Sequence, residues 1–151
     1  MSKYKLIQFT NSNIGAIPAN GFIPVGLISR RVNTSACNCN TFSVSSSNAD
    51  SVYLNEPGSY KVTYVGSFNA AAEGDFSVSL IANGVSVITS QETVTAAEDM
   101  VNITLVYVMR VCPNCCSAPA NCPMSIQMQL GTGATSATDP SVANLIIEKI
   151  A

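Results

Sequence analysis

The chain contains no histidine and no tryptophan. Without histidine, Ser-His and Cys-His nucleophile pairs and any imidazole general base are excluded. A zinc site would have to be built from thiolates, alone or with carboxylates. The absence of tryptophan weakens the case for a sugar-stacking platform, though tyrosine could substitute. Charge is scarce as well. Only 11% of residues are Asp, Glu, Lys or Arg, against about 25% in a typical globular domain. A monomer needs more charge than that to keep its surface free of apolar patches, so the deficit points to surface covered by another subunit. The net charge is −2, and Lys3, Lys5, Arg30, Arg31, Lys61, Arg110 and Lys149 are scattered along the chain. No basic stripe exists to neutralise phosphates, which argues against nucleic acid as a partner.

Other signals are missing too. No Walker loop or dinucleotide-binding glycine pattern occurs, and Gly131-Thr132-Gly133 reads as a loop. The longest apolar stretch, Val101 to Val111, is too short to cross a bilayer and is interrupted by Asn102 and Thr104. Met-Ser-Lys-Tyr-Lys is followed by no apolar leader and no small-residue cleavage site. Synthesis in a cytosol without a signal peptide, and no membrane association, are therefore the expectation.

What is present reads as strands. The 151 residues fit one domain, large enough to bury roughly 70% of the unfolded chain's surface. Val, Ile, Thr, Ser and Tyr dominate the periodic segments. In Ser59 to Phe68, Tyr60, Val62, Tyr64 and Phe68 alternate with Lys61, Thr63 and Ser67. In Phe76 to Asn83, Phe76, Val78, Leu80 and Ala82 alternate with Ser77, Ser79 and Ile81. Asn83-Gly84 then separates this run from Val85 to Ile88, a strong hairpin signal because both turn residues tolerate positive φ. Val101 to Val111 and Met124 to Leu130 alternate again, and Asn144 to Ile150 closes the chain. Shorter candidates are Lys5 to Phe9, Pro24 to Arg30, Thr41 to Val44 and Ser51 to Leu54. Nine or ten strands at this spacing predict an all-β, two-sheet antiparallel sandwich or jelly roll. Val106 and Val108 are apolar on the face opposite the Val101 to Val111 stripe. A strand apolar on both faces needs a partner beyond its own core, and a subunit interface supplies one. Residues 1–13 are expected to be either a first strand or an anchoring arm, ahead of a jelly-roll domain over 14–151.

Three motifs in order carry a resemblance. Glu56-Pro57-Gly58-Ser59-Tyr60-Lys61-Val62-Thr63-Tyr64 resembles the Pro-Gly-x-Tyr-x-Val-x-Tyr strand of tumour necrosis factor/complement globular-head jelly rolls. Ser79 to Gly84 resembles the Leu-x-x-Asn-Gly hairpin that follows it there, and Val142 to Ile150 resembles the final strand. More narrowly, Gly58 to Val62, Met109 to Cys116 and Glu148 to Ile150 are similar to pieces of small structural jelly rolls of Firmicutes phages and prophages. Exosporium heads of spore formers are similar in fold. The resemblance implies a homotrimer around a three-fold axis, with Tyr60, Tyr64 and Tyr107 as candidates for the interface. It implies a virion protein, a capsid decoration or head-fibre component that partners a capsid protein. The alternative is a glycan- or receptor-binding tip of a tail fibre or spore-surface protein.

Six cysteines fall in two groups, Cys37 and Cys39, then Cys112, Cys115, Cys116 and Cys122. Disulfides, free thiols and a structural metal all remain open for them. Vicinal Cys115-Cys116 is a poor bridge, because it strains the intervening peptide. The acidic pairs Glu73/Asp75 and Glu98/Asp99 are nominal candidates for glycoside hydrolysis, but each sits among turn residues where acids are solvated. No catalytic residue and no cofactor are expected. The sequons at Asn33 and Asn102 read as chance matches.

Overall fold

The computed structural model describes residues 4–32, 41–44, 49–111, 124–138 and 140–151. Among these, every regular element is a strand: β1 (Lys5–Ile14), β2 (Phe22–Ile23), β3 (Leu27–Val32), β4 (Phe42–Val44), β5 (Ser51–Leu54), β6 (Gly58–Asn69), β7 (Gly74–Ala82), β8 (Val85–Val94), β9 (Met100–Val111), β10 (Met124–Leu130) and β11 (Ser141–Lys149). A front sheet runs β3-β1-β11-β6-β9 and a back sheet β4-β5-β10-β7-β8, with β2 paired to β10. The pairings are antiparallel, and the chain passes repeatedly from one sheet to the other. This is the jelly-roll sandwich that the alternation predicts.

Several elements exceed the expectation: β1 runs five residues past Phe9 to Ile14, and β11 begins three residues before Asn144. β2 is only two residues long, too short to show a period. β8 continues six residues past Ile88 to Val94. Its second half, Thr89 to Thr93, is polar and largely exposed, so no buried stripe marks it in the sequence. At the other end of the chain, β1 lies between β3 and β11. The sandwich therefore begins at Lys5, and a boundary between residues 13 and 14 falls inside a paired strand.

The hairpin at Asn83-Gly84 forms as its residues require, with φ of +49° and +81°, the left-handed pair of a tight turn. Asn83 also ties the turn to β10: its backbone N–H donates to Ser125 O at 3.0 Å, and its Oδ1 accepts from Ser125 N at 2.7 Å.

Inward-facing residues follow the period of two. Tyr60, Val62, Tyr64 and Phe68 of β6 meet Phe76, Val78 and Leu80 of β7 and Ile126 and Met128 of β10 across the sandwich. The two sheets are joined by aromatic contact. Phe68 of the front sheet lies 5.6 Å from Phe76 of the back sheet and 6.3 Å from Tyr64, centroid to centroid. Burial of each such side chain contributes about 1.5–3 kcal/mol relative to exposure.

The Glu56-to-Tyr60 motif is a structural lock. Tyr60 is fully buried, edge-on to Phe42, and its hydroxyl donates to Glu56 O at 2.5 Å. Gly58 adopts φ of +152°, and a Cβ there would stand 2.4 Å from Ala151 O. That room lets the chain end lie alongside: Ser59 N donates to Ala151 O at 3.1 Å and Ile150 N to Ser59 O at 2.8 Å. The Glu56 carboxylate accepts from Lys5 Nζ at 3.0 and 3.1 Å and lies 3.4 Å from Lys149 Nζ. One turn thus fastens the first and last strands. Partial burial by itself would raise the Glu56 carboxyl, but the Lys5 hydrogen bond and the Lys5 and Lys149 charges outweigh it, and the net direction is downward.

The two buried tyrosines of β6 are not equivalent. The Tyr64 hydroxyl has no hydrogen-bond partner among the described residues, and burial pushes its pKa up. Tyr64→Phe should leave the melting free energy unchanged or raise it by about 1 kcal/mol, since it removes a desolvated hydroxyl. Tyr60→Phe should lower it by about 1–2 kcal/mol, because a buried carbonyl loses its donor. Urea melts of the two variants side by side check this, and equal losses would contradict it. The Glu56 carboxyl, held low in the folded state, stabilises above its unfolded pKa and loses that contribution as pH falls through the folded value. Glu56→Gln should cost less than about 1 kcal/mol at neutral pH, because the pair is partly exposed. It should also flatten the fall in stability on acidification below about pH 5, as read from melts across that range.

Candidate assembly surface

The outer face of the front sheet is built from residues that alternate with the core. Reading across the sheet, Val108 stands beside Lys61 and Glu148, Val106 beside Thr63 and Ile146, Val65 between Thr104 and Asn144, and Val142 beside Ser67. Four valines are exposed here: Val65 45%, Val106 47%, Val108 58% and Val142 43%. β-branched residues favour strands wherever they point, but a soluble face usually sets charge among them. Above the Lys61–Glu148 row, β6, β9 and β11 present only Val, Ile, Thr, Ser, Asn and, at the end of β9, Met100 outward, with Ser67 Oγ donating to Asn102 Oδ1 at 2.8 Å. The double-sided apolar character of β9 is therefore real. One face is core, and the other is open.

Among the described residues, this face runs into an edge that no further strand pairs. β9 ends the front sheet with 12 residues and β8 ends the back sheet with 10, on the same side of the sandwich. The opposite side ends in β3, six residues carrying Arg30 and Arg31, and β4, three residues. Short edge strands and charge blunt strand-to-strand pairing; length with little charge does the reverse.

Of the three tyrosine candidates, the structure corrects two. Tyr60 is 0% and Tyr64 2% exposed; both fill their own sandwich and have no surface to give a second subunit. Alternation separates two faces of a strand but does not say which one is inside, and aromatic residues on β6 took the inner one. Tyr107 differs. It faces inward on β9 and packs against the core only partly buried. As β9 is an edge strand, its remaining exposure lies at the open side of the sandwich. Sequence reading missed the length of the β8 edge and singled out Val106 and Val108, but not Val65 and Val142. Their common signal was a valine at an outward position of a strand already assigned to the core.

The acidic pairs sit at one end of the sandwich, on loops and strand ends, where Glu73, Asp75, Glu98 and Asp99 are exposed. Three of these carboxylates accept from hydroxyls: Asp75 from Thr93 at 3.3 Å, Glu98 from Ser136 at 2.8 Å, and Asp99 from Thr95 at 3.2 Å. The nearby cleft of about 320 Å³ between Glu92 and Asn102 is open to solvent. Nothing there desolvates an acid or encloses a substrate, which glycoside hydrolysis needs. All six cysteines, with the sequon at Asn33, lie outside the described residues. Among the described residues, no group of three or more acidic, cysteine or histidine side chains could hold a metal ion, and no helix is long and apolar enough to cross a membrane.

No family model and no curated protein matches the chain. Solved structures do. The chain is similar to the PRD1 vertex protein P5, with a TM-score of 0.64 and 15% identity over 97% of both chains. It is similar to the globular domain of the zebrafish complement 1qA protein, with a TM-score of 0.66 and 9% identity over 97% of both chains. Eiger TNF from S. frugiperda matches with a TM-score of 0.61 and 7% identity, over 98% of this chain and 92% of that one. The fold is a tumour necrosis factor/complement-type jelly roll. At these identities the likeness extends to the path of the backbone and no further. Within this jelly roll, the resembling motifs acquire physical roles: Pro-Gly-x-Tyr is the lock of the chain ends, and Asn-Gly is the turn between β7 and β8.

Proposed function

We propose that this chain is a non-enzymatic structural protein of a bacteriophage virion that assembles as a homotrimer. The apolar outer face of the front sheet carries the assembly half of the reading. That face and the β8/β9 edge are different surfaces of one chain, so a contact of edge on face is heterologous, and such contacts close into a ring when the rotation permits. Three copies are what the resemblance of the strand motifs implies. Covering the valines and the free strand edge together answers the low charge of the whole chain and the hazard of an open β edge.

The virion half is supported by the full-length likeness in fold to a vertex protein of PRD1 and by the similarity of the motifs to small phage jelly rolls. Capsid decoration or a head-fibre position is the specific role proposed, with a capsid protein as partner. The chemistry of such a role is association. Each buried valine contributes roughly 25 cal/mol per Å² of apolar area, offset by the entropy lost on assembly.

Light scattering after gel filtration in reductant tests the assembly directly. Three copies of a 15.8 kDa chain give about 47 kDa. Reductant removes any cysteine bridge, so a surviving trimer is held by packing. Val65→Asp with Val108→Asp should return the mass to that of one chain while the far-UV spectrum and melt stay native, because both positions are exposed in the monomer. A wild-type chain that runs as a monomer at micromolar concentration contradicts the reading.

A further inference from the structure

The back sheet offers a different surface from the front. Its outward side chains follow from the register: Ser125, Gln127 and Gln129 of β10 stand at the centre, with Tyr53 opposite Ser125 and Ser51 opposite Gln127 on β5. Phe22 of β2 stands opposite Gln129 on that same side, and on the other side Ser79 of β7 is opposite Gln129. Ser79 is paired in turn with Thr89 of β8, their hydroxyls 2.7 Å apart. None of these outward positions is charged. Ile81, the aliphatic member of this face, is only 6% exposed. The front face is apolar beside hydroxyls; the back face is amide and hydroxyl, flanked by two aromatic rings.

Several features of this face define its ligand. The rings of Tyr53 and Phe22 sit at positions four residues apart along β10, roughly 13 Å at the rise of a strand. Phe22 is 40% exposed and Tyr53 is half-buried, so each can present a ring to a ligand. Between them, amides and hydroxyls supply both donors and acceptors. Gln129 Nε2 already donates to Asn20 O at 2.8 Å, which holds that amide in place. An anionic ligand would lose hydration here and meet no cation among these positions; the charges at the margin are carboxylates, Asp75 of β7 and Asp50, which accepts from Ser51 Oγ at 3.2 Å. An apolar one would desolvate the amides without replacing their hydrogen bonds. The face is an open sheet surface and not a concave pocket of the kind that encloses a small ligand, so the fitting ligand is an extended chain.

We infer that the outer face of the back sheet binds a neutral polysaccharide, with Tyr53 and Phe22 packing against sugar rings and Gln127 and Gln129 hydrogen-bonding hydroxyls between them. Neutral sugars match each feature: no net charge, hydroxyls that donate and accept, and apolar ring faces for aromatic contact. The inference rests on the back sheet alone. Neither the virion role nor the trimer enters it, although a trimer built through the front face would leave this face outward.

Affinity electrophoresis of the full chain tests it, in native gels containing soluble dextran, galactomannan or hydroxyethylcellulose, with polygalacturonate as the charged counterpart. Retardation by at least one neutral polymer is expected. Tyr53→Ala and Phe22→Ala should each weaken it about tenfold, the scale of one lost ring contact with its buried area. Gln127→Glu, which sets a charge at the centre without changing shape, should weaken it by a similar factor relative to its own mobility in polymer-free gel. Thermal melts of the three variants establish that each is folded. Absence of retardation in every neutral polymer, equal retardation by polygalacturonate, or retardation indifferent to all three substitutions would overturn the inference.

Discussion

The placement of the last strand between the first and the sixth is the constraint on which this sandwich depends. β11 pairs with β1 over Lys5 to Ile14 and with β6 over Tyr60 to Ser67. Without it, the front sheet falls into two unconnected pairs, β3-β1 and β6-β9. Its inward residues Leu145 and Ile147 are 1% and 0% exposed, so it also supplies the middle of the core. The sheet closes only when the C-terminal segment is in place. Contacts this distant in sequence carry loop-closure entropy that local contacts do not, and jelly rolls are slow to fold for that reason. The turn at Glu56 to Tyr60 then has a defined task. It bonds the backbone at 150 and 151 and draws Lys5 of β1 and Lys149 of β11 onto one carboxylate, fixing the first and last strands at a single point.

With the centre of the front sheet occupied, the two outer faces are free to differ, and they do. In a strand, inner and outer positions alternate, so the core fixes one set of residues and leaves the other to function. On the front sheet the free set is valine, isoleucine and threonine; on the back sheet it is serine, glutamine and threonine. The core does not require this difference, because both sheets bury the same kind of residue inward. It divides the molecule into a side suited to burial against protein and a side suited to remaining wet. The front face continues into the long β9 edge, with the β8 edge of the back sheet beside it, so apolar surface and strand edges left unpaired among the described residues lie together.

Much of the fold was legible because the core alternation is strong. β5 and β10 match their sequence ranges residue for residue, and β6, β7 and β9 match to within two residues at either end. The Asn83-Gly84 turn follows from backbone sterics alone. What was not legible has physical causes. β2 is too short for a period, and the second half of β8 is polar on both faces because it borders solvent. The site was harder. Tyr60 and Tyr64 stand out by size and by motif, yet size favours the core as much as an interface. The exposed valines are ordinary strand residues, and what distinguishes them is the absence of charge on neighbouring strands. That is a property of register across β6, β9 and β11, which one strand's sequence does not contain.

The contrast between Tyr60 and Tyr64 carries this point to single atoms. Both lie on β6, four residues apart, both belong to the motif, and both are buried. One hydroxyl bonds back to the Glu56 carbonyl; the other faces the core without a described partner. A hydroxyl at the margin of a sheet can reach a turn, where carbonyls are free of the ladder. A hydroxyl at the centre meets strands whose backbone groups already bond one another. Tyr64 is paired on both sides, with Leu105 and Leu145, and lies as far from any turn as β6 allows. Its ring fills volume next to Phe68, and that packing outweighs a hydroxyl that costs about 1–3 kcal/mol when unbonded. The tyrosines therefore answer different demands: one fastens the chain ends, and the other is a phenylalanine in all but its oxygen.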